Sequence, residues 1–431
     1  MKLILNIVFI LSIFNSSLAE NNLKFFIDAA FKNNLELNAE RKNQKSIKEN
    51  INISRSEFLP NLSISGNQTS SQSTNRTNKS GESLRDTNLD SETTTVSIDQ
   101  KIFQGFKGYN SLKKSELEFK QADYRLRQTE QKTILDTTSA YFDLIFKSKN
   151  KIFNSSNVDL FERQVESDSA RLQKGEITLS DLAQSESSLA GASAKLIKAQ
   201  TELLASKTNF ERITREKAPD AKNLEKKIDI ILPETLPEAL KLTKKNNSDL
   251  VIAKLDYQIS EKELNIEKAR LSPSASINYS KSENKDFSST INELDQESIK
   301  ATVTWPIIKG GENISSIKKA SLNKQRALLL AEDVENKVIA SSTNSWSKYQ
   351  SSESVLRATE AQLKAAEIAN EGITLEYDSG NTRTTFEVIQ STSLLLDARI
   401  SNAKAERDFI ISKFELAFQL GDLSLNSIKP Q

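Results

Sequence analysis

The stretch ATVTWPIIKGGENISS, residues 301–316, joins a strand-like pattern to a helix-like pattern through two adjacent glycines. Its first half alternates apolar and polar residues, which places the apolar ones on one face of a β-strand. After Gly310 and Gly311, a long helical pattern without proline begins at about Glu312. The stretch TVSIDQKIFQGFKGYN, residues 95–110, repeats the arrangement. The chain is therefore predicted to run twice from a short amphipathic strand through a glycine turn into a very long helix.

The strand before the glycine pair has its apolar residues on one predicted face: Ile299, Ala301, Val303, Trp305 and Ile307. The alternation covers about nine residues, the length of a tilted strand that crosses a membrane. A half-buried strand of a soluble protein would show the same alternation. Both interpretations are open on the pattern alone.

Composition argues against several classes of protein. The 431 residues carry a formal net charge of +1 with 27% charged residues, so no strong basic field is available to bind nucleic acid. Cysteine and histidine are both absent. Disulfides, thiolate or imidazole metal sites and histidine-based catalytic triads therefore cannot form. No nucleotide-binding glycine loop is present either, and we expect neither an enzyme nor a cofactor.

The N-terminus MKLILNIVFILSIFNSSLAE has the pattern of a secretory signal peptide over residues 1–19. Lys2 precedes an apolar run over 3–14, and small residues flank the cleavage point after Ala19. The run is shorter than the roughly 20 residues that a membrane-spanning helix needs. No cysteine follows for a lipid anchor. We therefore expect an exported, non-lipidated chain that could insert in a membrane only through strands.

An internal duplication divides the chain into halves over 20–232 and 233–431. The Asn-Asn pairs that start at Asn33 and Asn246 lie 213 residues apart, and Pro60 and Pro273 share this offset. The first half is predicted as a helix over about 23–58, strands over about 61–66 and 94–103 around a polar loop at 67–92, a long helix over 107–173 and a returning helix over 178–216. The second half is predicted as a helix over 236–271, strands over about 274–281 and 298–307, a long helix over 312–378 and a returning helix over 384–420.

Each long helix and its returning partner carry sevenfold apolar repeats. In the first returning helix the repeat runs through Leu182, Leu189, Leu196, Leu203 and Phe210, with a parallel stripe of small residues at Ala192, Ala199 and Ser206. Such repeats with charges between them predict antiparallel coiled-coil hairpins. The predicted fold class is mainly α with a small β part.

Four strands are too few for a membrane barrel, whose known minimum is about eight. Open sheet edges are not tolerated in lipid. If the strands cross a membrane, several protomers must therefore share one barrel.

In these features the chain resembles the TolC-like outer-membrane efflux protein family over nearly its whole mature length. The resemblance rests on the NN-x-(D/E)-L helix starts, the F-L-P and L-S-P strand entries, the segment TVTWPIIKGGE and the two glycine-turn segments, all in duplicated order. It implies a homotrimer with a twelve-stranded transmembrane β-barrel and a periplasmic α-helical barrel. Such a trimer, in the outer membrane of a Gram-negative bacterium, would be a passive exit duct for small molecules or secreted polypeptides. The implied partners are a periplasmic adaptor (membrane fusion) protein, an inner-membrane pump or ABC transporter, and outer-membrane lipid.

The resemblance also implies roles for residues at the hairpin tips. Gly175 and Gly380 would form the tip turns, and Arg171 and Leu172 would help to dock the adaptor. An entrance lock would join Asp181 to Tyr377 and Arg383. Arg383 stands one position later than the family pattern expects, so the second tip carries an extra residue. Ordinary helix-cap and surface roles would explain the three lock residues equally well.

Two further groups complete the implied site. Glu387 and Gln390 match a constricting acidic ring of two aspartates, and the neutral Gln390 weakens any expectation of strong cation binding. The junction between barrel and tunnel would consist of Gly105, Trp305, Pro306, Gly310 and Gly311. Aromatic residues favour the membrane interface, and proline suits the end of a strand, where a ladder donor can be spared.

Two other functions fit parts of the sequence. A secreted structural coiled-coil or filament protein would explain the helices but not the strands. A periplasmic adaptor would share the helical hairpins but would need more strands and glycine. Drug efflux and type I protein secretion are both consistent with the residues.

Overall fold

The structure is a computed structural model that describes residues 22–221, 224, 228–288, 290–379, 383–425 and 428–430. The predicted signal peptide and Gly380 lie outside the described residues. Within the described ranges, no helix is long and apolar enough to cross a membrane.

Eight helices and eight strands are found in the described residues. The helices are α1 (Leu23–Asn33), α2 (Leu35–Ser56), α3 (Lys107–Gln173), α4 (Leu179–Thr214), α5 (Leu236–Asn246), α6 (Ser248–Ala269), α7 (Glu312–Asp378) and α8 (Thr385–Gln419). The strands are β1 (Asn61–Ser73), β2 (Arg76–Thr77), β3 (Ser83–Leu84), β4 (Thr87–Gln104), β5 (Ile228–Ile230), β6 (Ser274–Ser288), β7 (Ile291–Thr304) and β8 (Ile428–Pro430). The prediction of a mainly helical fold with a small β part is confirmed.

The long helices α3 and α7 have 67 residues each, which at 1.5 Å per residue is about 100 Å. Both begin directly after a glycine turn, and neither contains proline to interrupt its backbone hydrogen bonds. The returning helices α4 and α8 begin and end within two residues of the predicted bounds, which is the usual uncertainty of helix ends.

The single helices predicted over 23–58 and 236–271 are wrong, because each is broken at the second asparagine of its Asn-Asn pair. Asn34 and Asn247 adopt extended backbone angles, with ψ of 126° and 123°. Their side chains accept hydrogen bonds from the N–H groups of Leu37 and Leu250, both at 3.1 Å. Asparagine is among the strongest N-cap residues, so each pair ends one helix and starts the next.

The predicted strands are too short, and the predicted polar loop over 67–92 is largely strand. β1 continues to Ser73 and β4 starts at Thr87, with thirteen consecutive residues of each in register from Asn61↔Asp99 to Ser73↔Thr87. The Ser, Thr and Asn residues here pair their backbones as fully as apolar residues would. At the other end of the sheet, β7 stops at Thr304 instead of continuing to Ile307, because Pro306 has no N–H for the ladder.

The four long strands form one antiparallel sheet in the order β1-β4-β6-β7. The hairpins β1/β4 and β6/β7 are joined through the pairing of β4 with β6, so one row across the sheet contains Leu62, Ile98, Tyr279 and Ile299. A bulge between Lys101 and Phe103 shifts the register close to the helices. Within one chain, β1 and β7 are the open edges.

Residue contacts divide the chain into two compact units. The first comprises the described parts of Met1–Arg41, Tyr124–Val251 and Val334–Gln431, and the second comprises Lys42–Asp123 and Ile252–Asp333. Each unit draws on both predicted halves of the sequence. The second unit contains the four-stranded sheet.

The core of the first unit is built from aromatic side chains of several helices. The ring of Phe26 packs against Phe210 and Tyr141, at centroid distances of 4.9 and 6.0 Å. In α4 the small residues Ala192 and Ala199 are more deeply buried than the leucines of the sevenfold repeat, since short side chains let neighbouring helices approach closely.

Candidate functional site

The turn between α3 and α4 is closed by Gly175. The N–H of Glu176 donates to the carbonyl of Arg171, and the N–H of Gly175 donates to that of Leu172, both at 3.0 Å. This pattern is a Schellman motif, which needs a left-handed residue just beyond the helix. Gly175 has φ of +74°, a conformation that glycine adopts without strain.

Asp181 caps the helix that follows this turn. Its carboxylate accepts hydrogen bonds from the N–H and hydroxyl of Thr178 at 2.9 and 2.7 Å, while the Thr178 hydroxyl accepts the N–H of Asp181 at 3.3 Å. The hydroxyl and backbone bonds from Thr178 lower the pKa of Asp181 below its ordinary value. Asp181 therefore stabilises the first turn of α4 as part of a capping box.

A matching capping box starts α8. The N–H of Thr384 donates to the Glu387 carboxylate at 2.8 Å, and the backbone bond lowers the pKa of Glu387. Arg383 donates to Glu376 at 2.6 Å and to Glu387 at 2.9 Å. Gln390, the other predicted constriction residue, is exposed. The acidic side chain at this tip is thus already paired within its own chain.

The three predicted lock residues do not meet within one chain. Asp181 is bonded to Thr178, and Arg383 is bonded to Glu376 and Glu387, while Tyr377 bonds to a different aspartate. Within one chain, Asp181 is bonded in its helix cap and Tyr377 is bonded to Asp168, so the entrance lock stays a prediction. Contacts of these residues between chains stay a prediction.

The aspartate that binds Tyr377 is Asp168, which sits at the centre of a buried polar cluster. We call this set the Asp168 cluster: Gln164, Asp168, Ser185 and Tyr377. The Asp168 carboxylate accepts the Tyr377 hydroxyl at 2.9 Å, the Ser185 hydroxyl at 2.5 Å and the Gln164 amide at 3.0 and 3.1 Å. Asp168 and Ser185 have no exposed surface, and Tyr377 is 6% exposed. One carboxylate therefore ties α3 and α4 to α7.

Two neighbours extend the cluster. The Arg171 guanidinium lies 4.4 Å from the centroid of the Tyr377 ring, in cation–π geometry. The hydroxyl of Thr385, at the start of α8, lies 3.1 Å from the Tyr377 hydroxyl. Since the Tyr377 proton is directed to Asp168, Thr385 is the donor in this bond. Arg171, predicted to dock a partner, also packs within its own chain, and the cluster reaches all four helices of the two hairpins.

The sequence contains a signal for Asp168 in its sevenfold spacing. Asn154, Phe161 and Asp168 are spaced by seven residues, and all three are buried. An acidic residue in a core position of a sevenfold repeat marks a buried polar contact, since a carboxylate is not placed there without partners. Its partner Tyr377 could not be found this way, because it lies 209 residues further along the chain.

The junction between sheet and helices depends on Gly105. Its φ is +60°, and an added Cβ would lie 2.3 Å from the Cβ of Ser272, so no other residue fits. Gly310 and Gly311 also have positive φ, of 53° and 82°, but open space surrounds them. Trp305 lies beyond the strand, is 63% exposed and donates its Nε1–H to the carbonyl of Leu271 at 3.1 Å.

The two faces of the sheet differ sharply. One face presents exposed apolar side chains towards its helix end, with exposures that reach 78%: Leu62, Ile64, Ile98, Ile277, Ile299 and Val303. The other face carries many hydroxyl and amide groups that bond across the strands, as in Ser63–Ser97 at 2.8 Å and Asn278 to Asp99 at 2.7 Å. It also carries the charged residues Asp99, Lys101 and Lys300. An apolar band of this kind on an outer surface marks a contact with lipid or protein. Among the described residues no acidic cluster could hold a metal ion.

Comparison with known proteins identifies the family to which this chain belongs. Residues 26–214 and 239–422 match the family described as "Outer membrane efflux protein". The two matches begin 213 residues apart, which is the offset between the two Asn-Asn pairs. Since the matches cover most of the chain, the protein belongs to the outer membrane efflux protein family, and the resemblance seen in the sequence is confirmed.

Named relatives agree with this assignment. Outer membrane efflux protein BepC of Brucella suis is 24% identical over 400 residues, covering 93% of this chain and 85% of BepC. Outer membrane protein TolC of Escherichia coli K12 is 24% identical over 426 residues, covering 95% and 83%.

Solved structures show the same fold. The CmeC outer membrane channel of Campylobacter jejuni superposes with a TM-score of 0.82 at 16% identity, covering 93% of this chain and 85% of CmeC. The outer membrane protein VceC of Vibrio cholerae superposes with a TM-score of 0.76 at 18% identity, covering 93% and 96%.

Proposed function

We propose that three copies of this chain form a passive exit duct in the outer membrane of a Gram-negative bacterium. The single observation that carries the proposal is the two-faced sheet with two open edges. Its apolar face suits lipid, its hydroxyl-lined face suits water, and its edge strands β1 and β7 need partners because unpaired backbone groups are not tolerated in a bilayer. Three such sheets would supply twelve strands, which is enough for a barrel.

The direction of the strands is compatible with this closure. Successive strands in the order β1-β4-β6-β7 alternate in direction, so the two edge strands run in opposite directions. A β7 edge that meets the β1 edge of a neighbouring copy would therefore pair with it in antiparallel fashion. Edges of 13 and 14 residues are long enough to continue the ladder from copy to copy.

The Asp168 cluster would keep the periplasmic entrance closed in the resting state. It holds the α3/α4 hairpin against the α7/α8 hairpin through one buried carboxylate. An adaptor that docks at the tip turns, near Gly175, Gly380, Arg171 and Leu172, would release the Tyr377 contact and let the hairpins separate. Asp181, Arg383, Glu387 and Gln390 would then lie around the entrance, where contacts between copies add to the closure.

The remaining parts of the proposal concern transport. The duct would carry small toxic molecules or secreted polypeptides, and an inner-membrane pump with its periplasmic adaptor would supply the energy. The chain would reach the outer membrane after removal of residues 1–19, without lipidation. Trp305 and Pro306 would mark the periplasmic interface of the barrel.

Absence of cysteine in the chain gives a direct test. One cysteine at Ser63 in β1 and a second scanned over residues 296–304 in β7 form the only thiols, so a disulfide between copies that needs both cysteines reports the β1–β7 contact. We expect a detergent-extracted trimer that cross-links covalently at one register and conducts ions in planar lipid bilayers. A cysteine at Ser80, in the turn beyond β2, is the control and should not cross-link with β7.

The alternatives give different results. A filament protein or an adaptor would yield no conductance and no β1–β7 disulfide. A monomer that is released without detergent would refute the proposal.

A further inference from the structure

A cavity of about 500 Å³ lies at the helix end of the sheet, and its charged lining is entirely basic. We call its four cationic residues the basic cleft: Lys101, Lys107, Arg270 and Lys309. Hydroxyl groups of Ser276 and Thr304 also line the cavity, and no lining residue carries a carboxylate. The duct function does not account for this concentration of positive charge.

The register of the strands places Lys101 and the hydroxyl groups of the cleft on the hydroxyl-lined face. Lys101 pairs with Ser276, and Ser274 pairs with Thr304, so these four residues share one face of the sheet. Ile299 and its apolar neighbours occupy the alternate positions and point to the other face. Lys101, near the end of β4, is therefore on the side that would face water inside the duct.

Little in the described part of the chain neutralises this charge. Arg270 has carboxylate partners, Glu267 at 3.0 Å and Glu312 at 3.7 Å. The lysines of the cleft have no carboxylate oxygen within 4 Å among the described residues. Two acidic residues are nearby without an ion pair to these lysines. Glu57 lines an adjoining cavity together with Lys101 and Lys107, and Asp99 lies in the same row of the sheet as Lys300.

We propose that the basic cleft attracts small multivalent anions, of the phosphate or carboxylate class, to the lumen where barrel and tunnel join. This inference rests on the proposed trimeric duct, in which nine unpaired lysines would encircle the passage. Walls of low dielectric constant focus such a field and raise the local concentration of counter-ions. Lysine binds phosphate as a point charge, so the ring would favour anions by charge without selecting one shape.

The probe for this site is inorganic pyrophosphate, added to the full-length protein in planar bilayers. At 0.1 M KCl we expect 1 mM pyrophosphate to reduce the single-channel current at least twofold. At 1 M KCl the block should disappear, because the Debye length falls from about 10 Å to about 3 Å. In the triple variant K101Q/K107Q/K309Q, the pyrophosphate concentration for half block should rise at least fivefold.

The matched control is the double variant K281Q/K285Q. These lysines occupy alternate positions of β6 that share a face with Tyr279, away from the cleft, and their removal should leave the block unchanged. If the triple variant does not assemble, the three single variants replace it, each with a rise of about twofold.

The outcomes separate this inference from the duct itself. A wild-type protein that conducts but is not blocked, or a triple variant that is blocked like the wild type, would overturn the inference and leave the duct intact. Anionic lipid that co-purifies in a lysine-dependent way without any pyrophosphate block would place the cleft in lipid and would also overturn it. A wild-type protein without any conductance would refute both proposals.

Discussion

Replacement of Asp168 by asparagine tests whether the buried cluster holds the entrance closed. The substitution keeps the shape of the side chain but removes its charge and leaves one acceptor oxygen where there were two. Hydrogen bonds to a charged group contribute roughly 1.5–3 kcal/mol each. We expect one of the hydroxyl bonds from Tyr377 and Ser185 to be lost and the other to weaken. Part of this loss of stability is offset, because the neutral asparagine does not carry the desolvation cost of a buried charge.

The net loss should be about 2 kcal/mol in favour of the separated hairpins. Since 1.4 kcal/mol is a factor of ten, the ratio of open to closed entrances should rise about 30-fold. Open probability in planar bilayers measures this ratio directly. Hydrogen exchange of the backbone amides over residues 164–172 and 372–378 provides a second readout and should accelerate by a similar factor.

The control is D159N, which removes an exposed carboxylate from the same helix. It should leave both readouts unchanged. Y377F removes the hydroxyl donor to Asp168, and its effect should not add to that of D168N, because the two residues share one hydrogen bond. Unchanged open probability and unchanged exchange in D168N would show that the cluster does not hold the entrance closed.

Three other substitutions test separate parts of the structure. G105A should destabilise the junction severely, because its Cβ would lie 2.3 Å from the Cβ of Ser272, and the heat stability of the trimer on gels measures the loss. I299K places a charge on the apolar face and should cost roughly 2–4 kcal/mol in lipid, whereas S298K on the opposite face should assemble normally, as judged by recovery in the outer-membrane fraction. The lowered pKa of Glu387 means that its cap stabilises the folded tip above the unfolded-state pKa and loses this effect as the pH falls through the lower folded-state pKa. The protection factors of the amides at the start of α8, which correct the exchange rates for their intrinsic pH dependence, should therefore fall in the wild type as the pH drops below about 4.5, but not in E387Q; an equal fall in both proteins would contradict the assignment.

The sequence by itself determined the long helices and the turns that bound them. α3 and α7 begin and end at the predicted residues, because sevenfold periodicity, glycine and proline act within a few positions along the chain. The break at Asn34 was equally local, since an asparagine cap bonds the N–H three residues on. The Asn-Asn pair could have predicted this break. The prediction ran one helix through it because the helical periodicity continues on both sides.

Only the tertiary structure decided the length of the strands and the partners of the buried carboxylate. Polar runs such as 67–73 become strand because a separate segment of the chain supplies the hydrogen-bond partners of their backbone groups. No local sequence pattern identifies that segment. In the same way, Asp168 is satisfied by Tyr377, 209 residues away, while Asp181, which the family pattern favoured, is taken by a threonine three residues away. Side-chain hydrogen bonds form with whatever donor the packing of the helices brings within about 3 Å, and the packing belongs to the folded chain.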